Sequence, residues 1–148
     1  MMVADKKTGG KYKITKVVKK GGKITSGTVE YVAPYNKNCS LVSATNKVKI
    51  AGATFKVTSI GKNAFKDCNK LSKVVVGPYV TNIGANAFNG CSKLKTINIK
   101  ATGIKKIGSN AFKGINANAK IKVPAKQLTK YTKLIKKAKA PAKAKITK

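Results

Sequence analysis

The sequence of 148 residues contains no histidine, no arginine and no tryptophan, and its only acidic residues are Asp5, Glu30 and Asp67. Without histidine, His-assisted nucleophilic catalysis and His-containing zinc sites are both excluded. Three scattered carboxylates also argue against paired-carboxylate acid–base chemistry. Three cysteines are too few for a Cys-only zinc site, and no glycine-rich phosphate loop precedes a helix. We therefore expect a non-enzymatic protein with no catalytic residue, no metal and no cofactor.

The positive charge is carried entirely by lysine, and the formal net charge is +30. Lysine is a hydrated point charge without the flat donor fork with which arginine reads guanine or phosphate. We therefore expect no sequence-specific recognition of nucleic acid. The favoured interpretation of the lysines is a soluble, solvated surface. The alternative is contact with a polyanion such as a cell-wall polymer, a sulfated glycan or nucleic acid.

The sequence has no apolar run approaching the roughly 18 residues of a membrane span. It also lacks a signal-peptide core at its start. Residues 1–4 resemble an added start on an excised domain, so the missing signal peptide says little about location. The length suits one domain with a continuous core.

One hexapeptide occurs three times, as IGKNAF at residues 60–65, IGANAF at 83–88 and IGSNAF at 107–112. The offsets are 23 and 24 residues. A fixed period of this size is typical of a solenoid, in which each repeat buries its apolar face against its neighbours. The sequence therefore predicts a mainly β solenoid of about three rungs over residues 57–123.

Each hexapeptide is followed by alternating apolar residues, as in Leu71, Val74 and Val76 of the first unit. The second unit repeats this pattern, whereas the third has Asn118 at the position of the leading leucine. Alternation predicts that these residues point inward along stacked parallel strands, so that the residues between them face outward. The outward residues define a predicted ligand-binding concave face: Lys73, Val75, Lys95, Thr96, Asn98, Lys100 and Lys122.

The hexapeptide and the C-x-x-L-x-x-V/I-x-V/I pattern after it resemble the bacterial BspA-type leucine-rich repeat proteins over residues 57–123. The flanking segments also resemble those of secreted surface proteins of Gram-positive bacteria. The resemblance implies an extracellular or cell-surface location and adhesion-like binding. Its ligand would be a protein or glycan on a host, a matrix or a neighbouring cell.

The predicted repeat core consists of Ile60, Phe65, Cys68, Leu71, Ile83, Phe88, Cys91, Leu94, Ile107 and Phe112. The three phenylalanines should form a buried stack, each contributing roughly 1.5–3 kcal/mol by burial. Cys68 and Cys91, one rung apart, are close enough in this arrangement for a disulfide, although buried thiols are favoured. Cys39, by contrast, lies in a loop and is the odd cysteine.

Two polar or small residues also recur in the hexapeptide. The asparagines at positions 63, 86 and 110 are expected to satisfy backbone groups of turns, with a ligand role as the alternative. The glycines at positions 61, 84 and 108 are expected to allow a bend that a Cβ would obstruct.

The flanks are expected to cap the stack within one structural domain. Residues 1–10 are predicted to be disordered, and 11–56 to form an antiparallel β cap. Residues 124–148 have helical spacing of Leu128, Tyr131 and Ile135, followed by a lysine-rich tail. This helix is interpreted as a cap over the last rung, with binding to an anionic membrane as the alternative. The tail either adds a strand through Ile146 or is loose.

Our favoured hypothesis is a surface or secreted binding module that contacts a protein or glycan through its concave sheet. The alternative is a nonspecific binder of anionic cell-wall polymers, sulfated glycans or nucleic acid, which predicts a steep dependence on salt. A third hypothesis is a structural spacer within a larger surface protein.

Overall fold

The computed structural model describes residues 1–6, 9–36, 41–42 and 46–148, and for residues 41 and 42 it describes the backbone alone. Most of the regular structure is strand, and one short helix lies near the C terminus, as the sequence predicts. The elements in chain order are β1 (Met2–Asp5), β2 (Gly10–Lys20), β3 (Lys23–Pro34), β4 (Leu41–Val42), β5 (Lys47–Ile50), β6 (Ala53–Ile60), β7 (Lys73–Val76), β8 (Asn82–Ile83), β9 (Thr96–Ile99), β10 (Lys106–Ile107), β11 (Lys120–Lys122), a 3₁₀ turn (Ala125–Gln127), α1 (Leu128–Lys137) and β12 (Lys145–Thr147).

The described strands form two sheets. One has the order β1-β2-β3-β6-β8-β10, with β5 pairing to β6, and the other has the order β12-β11-β9-β7-β4. All pairs in the second sheet are parallel. The repeats therefore place equivalent strands side by side, with Val74 opposite Ile97 and Ile97 opposite Ile121.

The aromatic stack predicted from the repeats is present and is longer than expected. The rings of Phe65 and Phe88 are parallel with centroids 5.1 Å apart, and those of Phe88 and Phe112 are 5.5 Å apart. Tyr31 of β3 adds a fourth ring, 4.8 Å from Phe65, and Tyr12 packs edge-on against Tyr31. The stack thus joins the N-terminal strands to the repeats in one core.

The other predicted core residues are buried, with one exception. Ile107 is half-buried, because it lies in β10 at the edge of the first sheet. In the third unit Asn118 is exposed and the next residue, Ala119, is fully buried. The irregular third repeat therefore still provides an inward side chain, although a much smaller one than leucine.

The glycines of the second and third hexapeptides are required by close approach between successive repeats, whereas a Cβ on Gly61 would meet the carboxylate of Glu30 at 2.8 Å. A Cβ on Gly84 would overlap the backbone nitrogen of Lys62, and one on Gly108 would overlap that of Ala85. Neither glycine has a positive φ. The expected obstruction is confirmed, but its cause is contact between neighbouring backbones and not a bend.

The recurring asparagines share a backbone conformation. Asn63, Asn86 and Asn110 have φ angles of 60°, 57° and 59°. This left-handed region is costly for most L-residues but is tolerated by asparagine. Asn86 also accepts a hydrogen bond from the Nδ2 of Asn89 at 3.0 Å. Conformation, more than satisfaction of turn backbone groups, explains why the three positions carry the same residue.

Cys68 and Cys91 are buried thiols, in line with the favoured interpretation, and no disulfide joins them. The Sγ of Cys91 donates a hydrogen bond to the carbonyl oxygen of Phe65 at 3.0 Å. This bond links one repeat to the preceding one. Cys39 lies outside the described residues.

Two expectations for the N-terminal segment are wrong. Residues 1–10 were predicted to be disordered, but β1 pairs antiparallel with β2 from Met2↔Lys13 to Asp5↔Gly10. The pairing supplies hydrogen-bond partners for the backbone groups of this segment, which gives it a fixed place at the edge of the sheet. The region 11–56 is also not purely antiparallel, because β3 pairs with β6 in parallel.

The C-terminal segment lies on the last repeat as expected of a cap. Tyr131 and Ile135 of α1 are fully buried, and Leu128 packs against the core while remaining half-buried. The amide of Phe112 donates to the carbonyl of Ala138 at 3.1 Å. The tail then forms β12, which pairs in parallel with β11. Of the two alternatives for the tail, the strand through Ile146 is therefore the one observed, and not a loose segment.

Candidate binding surface

The outward side chains of the second sheet lie in two rows that run across its strands. In the first row Lys73 of β7 is opposite Thr96 of β9, which is opposite Lys120 of β11, and Lys120 is opposite Lys145 of β12. The second row, one pleat further along, is Val75, Asn98, Lys122 and Thr147. Neighbouring strands are about 4.8 Å apart, so each row is about 14 Å long. We call these eight residues the lysine–threonine face.

Five of the seven residues predicted from the sequence belong to the lysine–threonine face. The remaining two, Lys95 and Lys100, flank β9 at its two ends, and both are exposed. Their amides bond to the preceding repeat, Lys95 to the carbonyl of Ser72 at 3.0 Å and Lys100 to that of Val76 at 2.9 Å. The structure therefore brings all seven predicted residues together along one sheet.

Three members of this face were not predicted from the sequence. Lys120 lies two residues before Lys122 on β11, so the alternation that predicted Lys122 also gives its outward position, but this alternation was not extended to the start of the strand. Lys145 and Thr147 belong to β12, which enters the sheet only after the chain has passed through α1. Strand-like alternation around Ile146 was the available signal, but its partner Ile121 lies 25 residues earlier in the chain, and this pairing could not be assigned.

The face combines positive charge with neutral and apolar groups. Its four lysines and two threonines are exposed, while Val75 and Asn98, which are neighbours at the β7 end of the second row, are half-buried. The three acidic residues of the chain lie elsewhere, on β1, on β3 and in the turn that contains Asp67. The face can therefore attract a partner with negative charge and can make close contact with it at Val75 and Asn98.

The strands of this face are fixed from behind by buried aliphatic side chains. Val74, Ile97 and Ile121 are fully buried on the opposite side of the same strands. Because side chains alternate along a strand, this burial determines which residues face outward. The surface is thus held in place by the core, so substitutions of its exposed residues need not disturb the fold.

No cluster of metal-ligating side chains accompanies the face in the part of the chain that the structure describes. There, no three acidic, cysteine or histidine side chains come together as metal ligands.

Burial raises the pKa of Tyr131, and a hydrogen bond with the amide of Ile104 partly opposes this effect. The same hydroxyl donates to the carbonyl of Ala101 at 2.7 Å, so Tyr131 fastens α1 to the repeats.

The alternative interpretation of α1 is a helix that binds an anionic membrane. Among the residues it describes, we find no helix with the length and apolar character needed to cross a membrane. The apolar side of α1 is occupied by the last repeat, since Tyr131 and Ile135 are buried there.

The fold is similar to that of solved bacterial structures. A leucine rich cell surface protein from Faecalibacterium prausnitzii A2-165 matches with a TM-score of 0.57 and 22% identity, over 82% of this chain and 32% of the other. A leucine-rich repeat protein from Bacteroides capillosus ATCC 29799 matches with a TM-score of 0.65 and 18% identity, over 98% and 97% of the two chains. One from Bacteroides ovatus ATCC 8483 matches with a TM-score of 0.52 and 29% identity, over 75% and 34%.

This chain spans about a third of the length of the first and third of these proteins. No curated protein matches its sequence. A sequence model described as the BspA type leucine rich repeat region matches residues 37–137 in six copies. The match extends beyond residues 57–123, the range in which the repeats were recognised by their spacing. By this match over more than half of its length, the chain belongs to the BspA-type leucine-rich repeat family.

Proposed function

We propose that this chain is a non-enzymatic binding module of a bacterial surface protein, and that it binds a partner protein through the lysine–threonine face. The observation that carries the proposal is the strand pairing of the second sheet, which aligns eight outward side chains in two rows across four parallel strands. The surface description of a structural relative supports the location. The match to the BspA type leucine rich repeat region supports a role in binding a partner protein.

The architecture behind this proposal is a solenoid of about three turns of 23–24 residues. It is supported by the parallel pairing of equivalent strands and by rings that stack at intervals of about 5 Å, which is close to the spacing of neighbouring strands. In such an array the exposed sheet is a continuous surface that a partner can cover. The lysine–threonine face would be that surface.

The composition of the face favours a protein with an acidic surface as its partner. Val75 and Asn98 supply a half-buried, less charged patch at the β7 end of the face, and the four lysines lie beside it. Interfaces between proteins commonly combine a less polar centre with a charged rim. A host, matrix or neighbouring-cell protein is the proposed partner, with a glycan as the alternative ligand of the same face.

The test compares three versions of the chain for adhesion to immobilised matrix proteins. In the first variant Lys95→Gln, Asn98→Ala and Lys122→Gln are combined, which removes the half-buried amide of the face, the charge of Lys122 and the charge of Lys95 at the end of β9. The control, Lys62→Gln with Lys66→Gln, removes the same charge from exposed positions in a turn of the first repeat. We expect adhesion to be lost in the first variant and kept in the control, with melting temperatures unchanged in both. Full adhesion by the first variant would exclude this face.

A second candidate function is nonspecific binding of polyanions, which is favoured by the net charge of +30. Such binding depends on counterion release, so it weakens steeply with salt and discriminates little among polymers. Retention on heparin and on DNA columns across a salt gradient tests it. Similar, steeply salt-dependent retention on both would support this candidate, and failure to bind either column at low salt would reject it.

A further inference from the structure

A second row of lysines crosses the other sheet, away from the lysine–threonine face. Lys16 of β2 is opposite Thr28 of β3, Thr28 is opposite Lys56 of β6, and Lys56 is opposite Lys47 of β5. Three lysines and one threonine thus lie in a line across four strands. Since neighbouring strands are about 4.8 Å apart, the backbone of Lys16 is about 10 Å from that of Lys56.

The pair Lys47 and Lys56 places two like charges directly opposite each other in an antiparallel ladder. Such a pair destabilises a sheet when nothing neutralises it. Both ammonium groups are directed to the ring of Tyr79, with the Nζ of Lys56 4.7 Å and that of Lys47 5.5 Å from its centroid. The aromatic ring attracts both cations and holds them close to each other.

No acidic side chain of the chain offsets these charges within the row. The acidic residue on this part of the sheet is Glu30, two positions after Thr28. Its carboxylate accepts a hydrogen bond from the hydroxyl of Ser59 at 3.4 Å. The charge of the row is thus left for an external anion to neutralise.

The lysine row borders an open groove of about 290 Å³. Its lining includes the three lysines and three hydroxyl side chains, which are Lys16, Lys47, Lys56, Ser26, Thr28 and Thr54. Ser26 and Thr54 are opposite each other in the next pleat, so the hydroxyls form a second row beside the lysines. Ammonium groups and hydroxyls together are donors suited to the oxygens of an anionic chain.

We propose that this groove is an anion-binding site, and that it takes an extended oligoanion whose negative groups contact Lys16 at one end and the Lys47–Lys56 pair at the other. The chemistry is shared by sulfated or carboxylated oligosaccharides and by polyphosphate chains. The site lies on a different sheet from the lysine–threonine face, so it does not depend on the protein-binding function proposed above. It also differs from nonspecific attraction, because it assigns the binding to particular lysines.

The test measures affinity by titration calorimetry in about 0.15 M salt, where charges more than about 8 Å apart are largely screened. The ligands are a heparin-derived hexasaccharide and a short inorganic polyphosphate, each titrated separately. The proteins are the native chain, the site variant Lys47→Gln/Lys56→Gln and the control Lys62→Gln/Lys66→Gln. Both variants lose two charges, and only the first loses them in the groove.

We expect the site variant to bind at least one of the two ligands about tenfold more weakly than the native chain, and the control to stay within about twofold. The ligand that shows this difference identifies the source of the anion. The melting temperature of the site variant should change little, because the relief of two opposed like charges offsets the loss of their contacts with the ring of Tyr79. Equal weakening in both variants, or no binding of either ligand to the native chain, would overturn the proposal.

Discussion

The replacement Gly84→Ala probes the contact between successive repeats. Its added Cβ would overlap the backbone nitrogen of Lys62 and the carbonyl carbon of Gly61. These atoms belong to the preceding repeat and are held by main-chain hydrogen bonds. The amide of Gly84 donates to the carbonyl of Ile60 at 2.7 Å, and the amide of Asn63 donates to that of Ala85 at 3.0 Å. Neither backbone can move away without stretching one of these bonds.

The expected cost follows from these contacts. Overpacking costs about 1–3 kcal/mol, and weakening one or two hydrogen bonds adds about 1 kcal/mol each. Alanine also restricts the unfolded chain more than glycine does, and this effect stabilises the folded state by about 0.4–1 kcal/mol. The free energy of unfolding should therefore fall by about 2–4 kcal/mol. For a chain of this size, such a loss lowers the melting temperature by about 10 °C.

Urea unfolding followed by circular dichroism measures this change, and Gly103→Ala is the matched control. Gly103 also lacks a positive φ, but a Cβ there would meet nothing within 4 Å. The control should leave stability unchanged or raise it slightly, because only the effect on the unfolded chain remains. If Gly84→Ala were no more destabilising than Gly103→Ala, the close approach of the repeats would not be the reason for glycine at this position.

Three further predictions concern the core, a turn and the cap. Phe88→Ala removes a fully buried ring from the middle of the stack and should lower the free energy of unfolding by about 3–5 kcal/mol in urea, with a smaller loss for Phe88→Leu. Asn110→Ala should lower the free energy of unfolding by about 1–2 kcal/mol, because φ is 59° at this position. Asn110→Gly should lower it less, because glycine adopts a positive φ without strain. Equal losses for the two variants would contradict the explanation from backbone conformation. Tyr131 has a pKa raised by burial above its ordinary value of 10.0, so the unfolded chain loses this proton first as pH rises. The protonated phenol therefore contributes fully to the free energy of unfolding below pH 10, and this contribution is lost as the pH rises above 10. In urea titrations at alkaline pH, the difference in free energy of unfolding between the native chain and Tyr131→Phe should become smaller. A difference that stays constant with pH would show that the phenol is not protected by burial.

The repeats could be predicted from sequence because each unit specifies its own local pattern. Alternation of Val74 and Val76 around Val75 gives the inward and outward faces of β7 without reference to other strands. The period of the hexapeptide then gives the neighbours of that strand. Most of the lysine–threonine face follows from these two regularities, since equivalent positions of successive repeats become adjacent.

Features that depend on pairing between unlike segments could not be predicted in this way. Tyr31 enters the ring stack from β3, which does not share the hexapeptide pattern. The lysine row of the groove requires the register of four strands, including an irregularity between Ile14 and Lys16 that shifts the outward positions of β2. Alternation counted along one strand fails across such a shift, so the approach of Lys16 to Lys56 is a property of the folded sheet.

Both ends of the repeat array are closed by contacts of the kind that repeats make with each other. At the first end, the carbonyl of Tyr31 accepts from the amide of Gly61 at 2.8 Å, as Ile60 does from Gly84. At the other end, Ala138 accepts from Phe112, as Ala111 accepts from Phe88. Because the flanking segments reproduce the hydrogen bonds of an additional repeat, they satisfy the terminal backbone without having its sequence. This explains how a strand with a tyrosine and a helix with unrelated residues can both end the same stack.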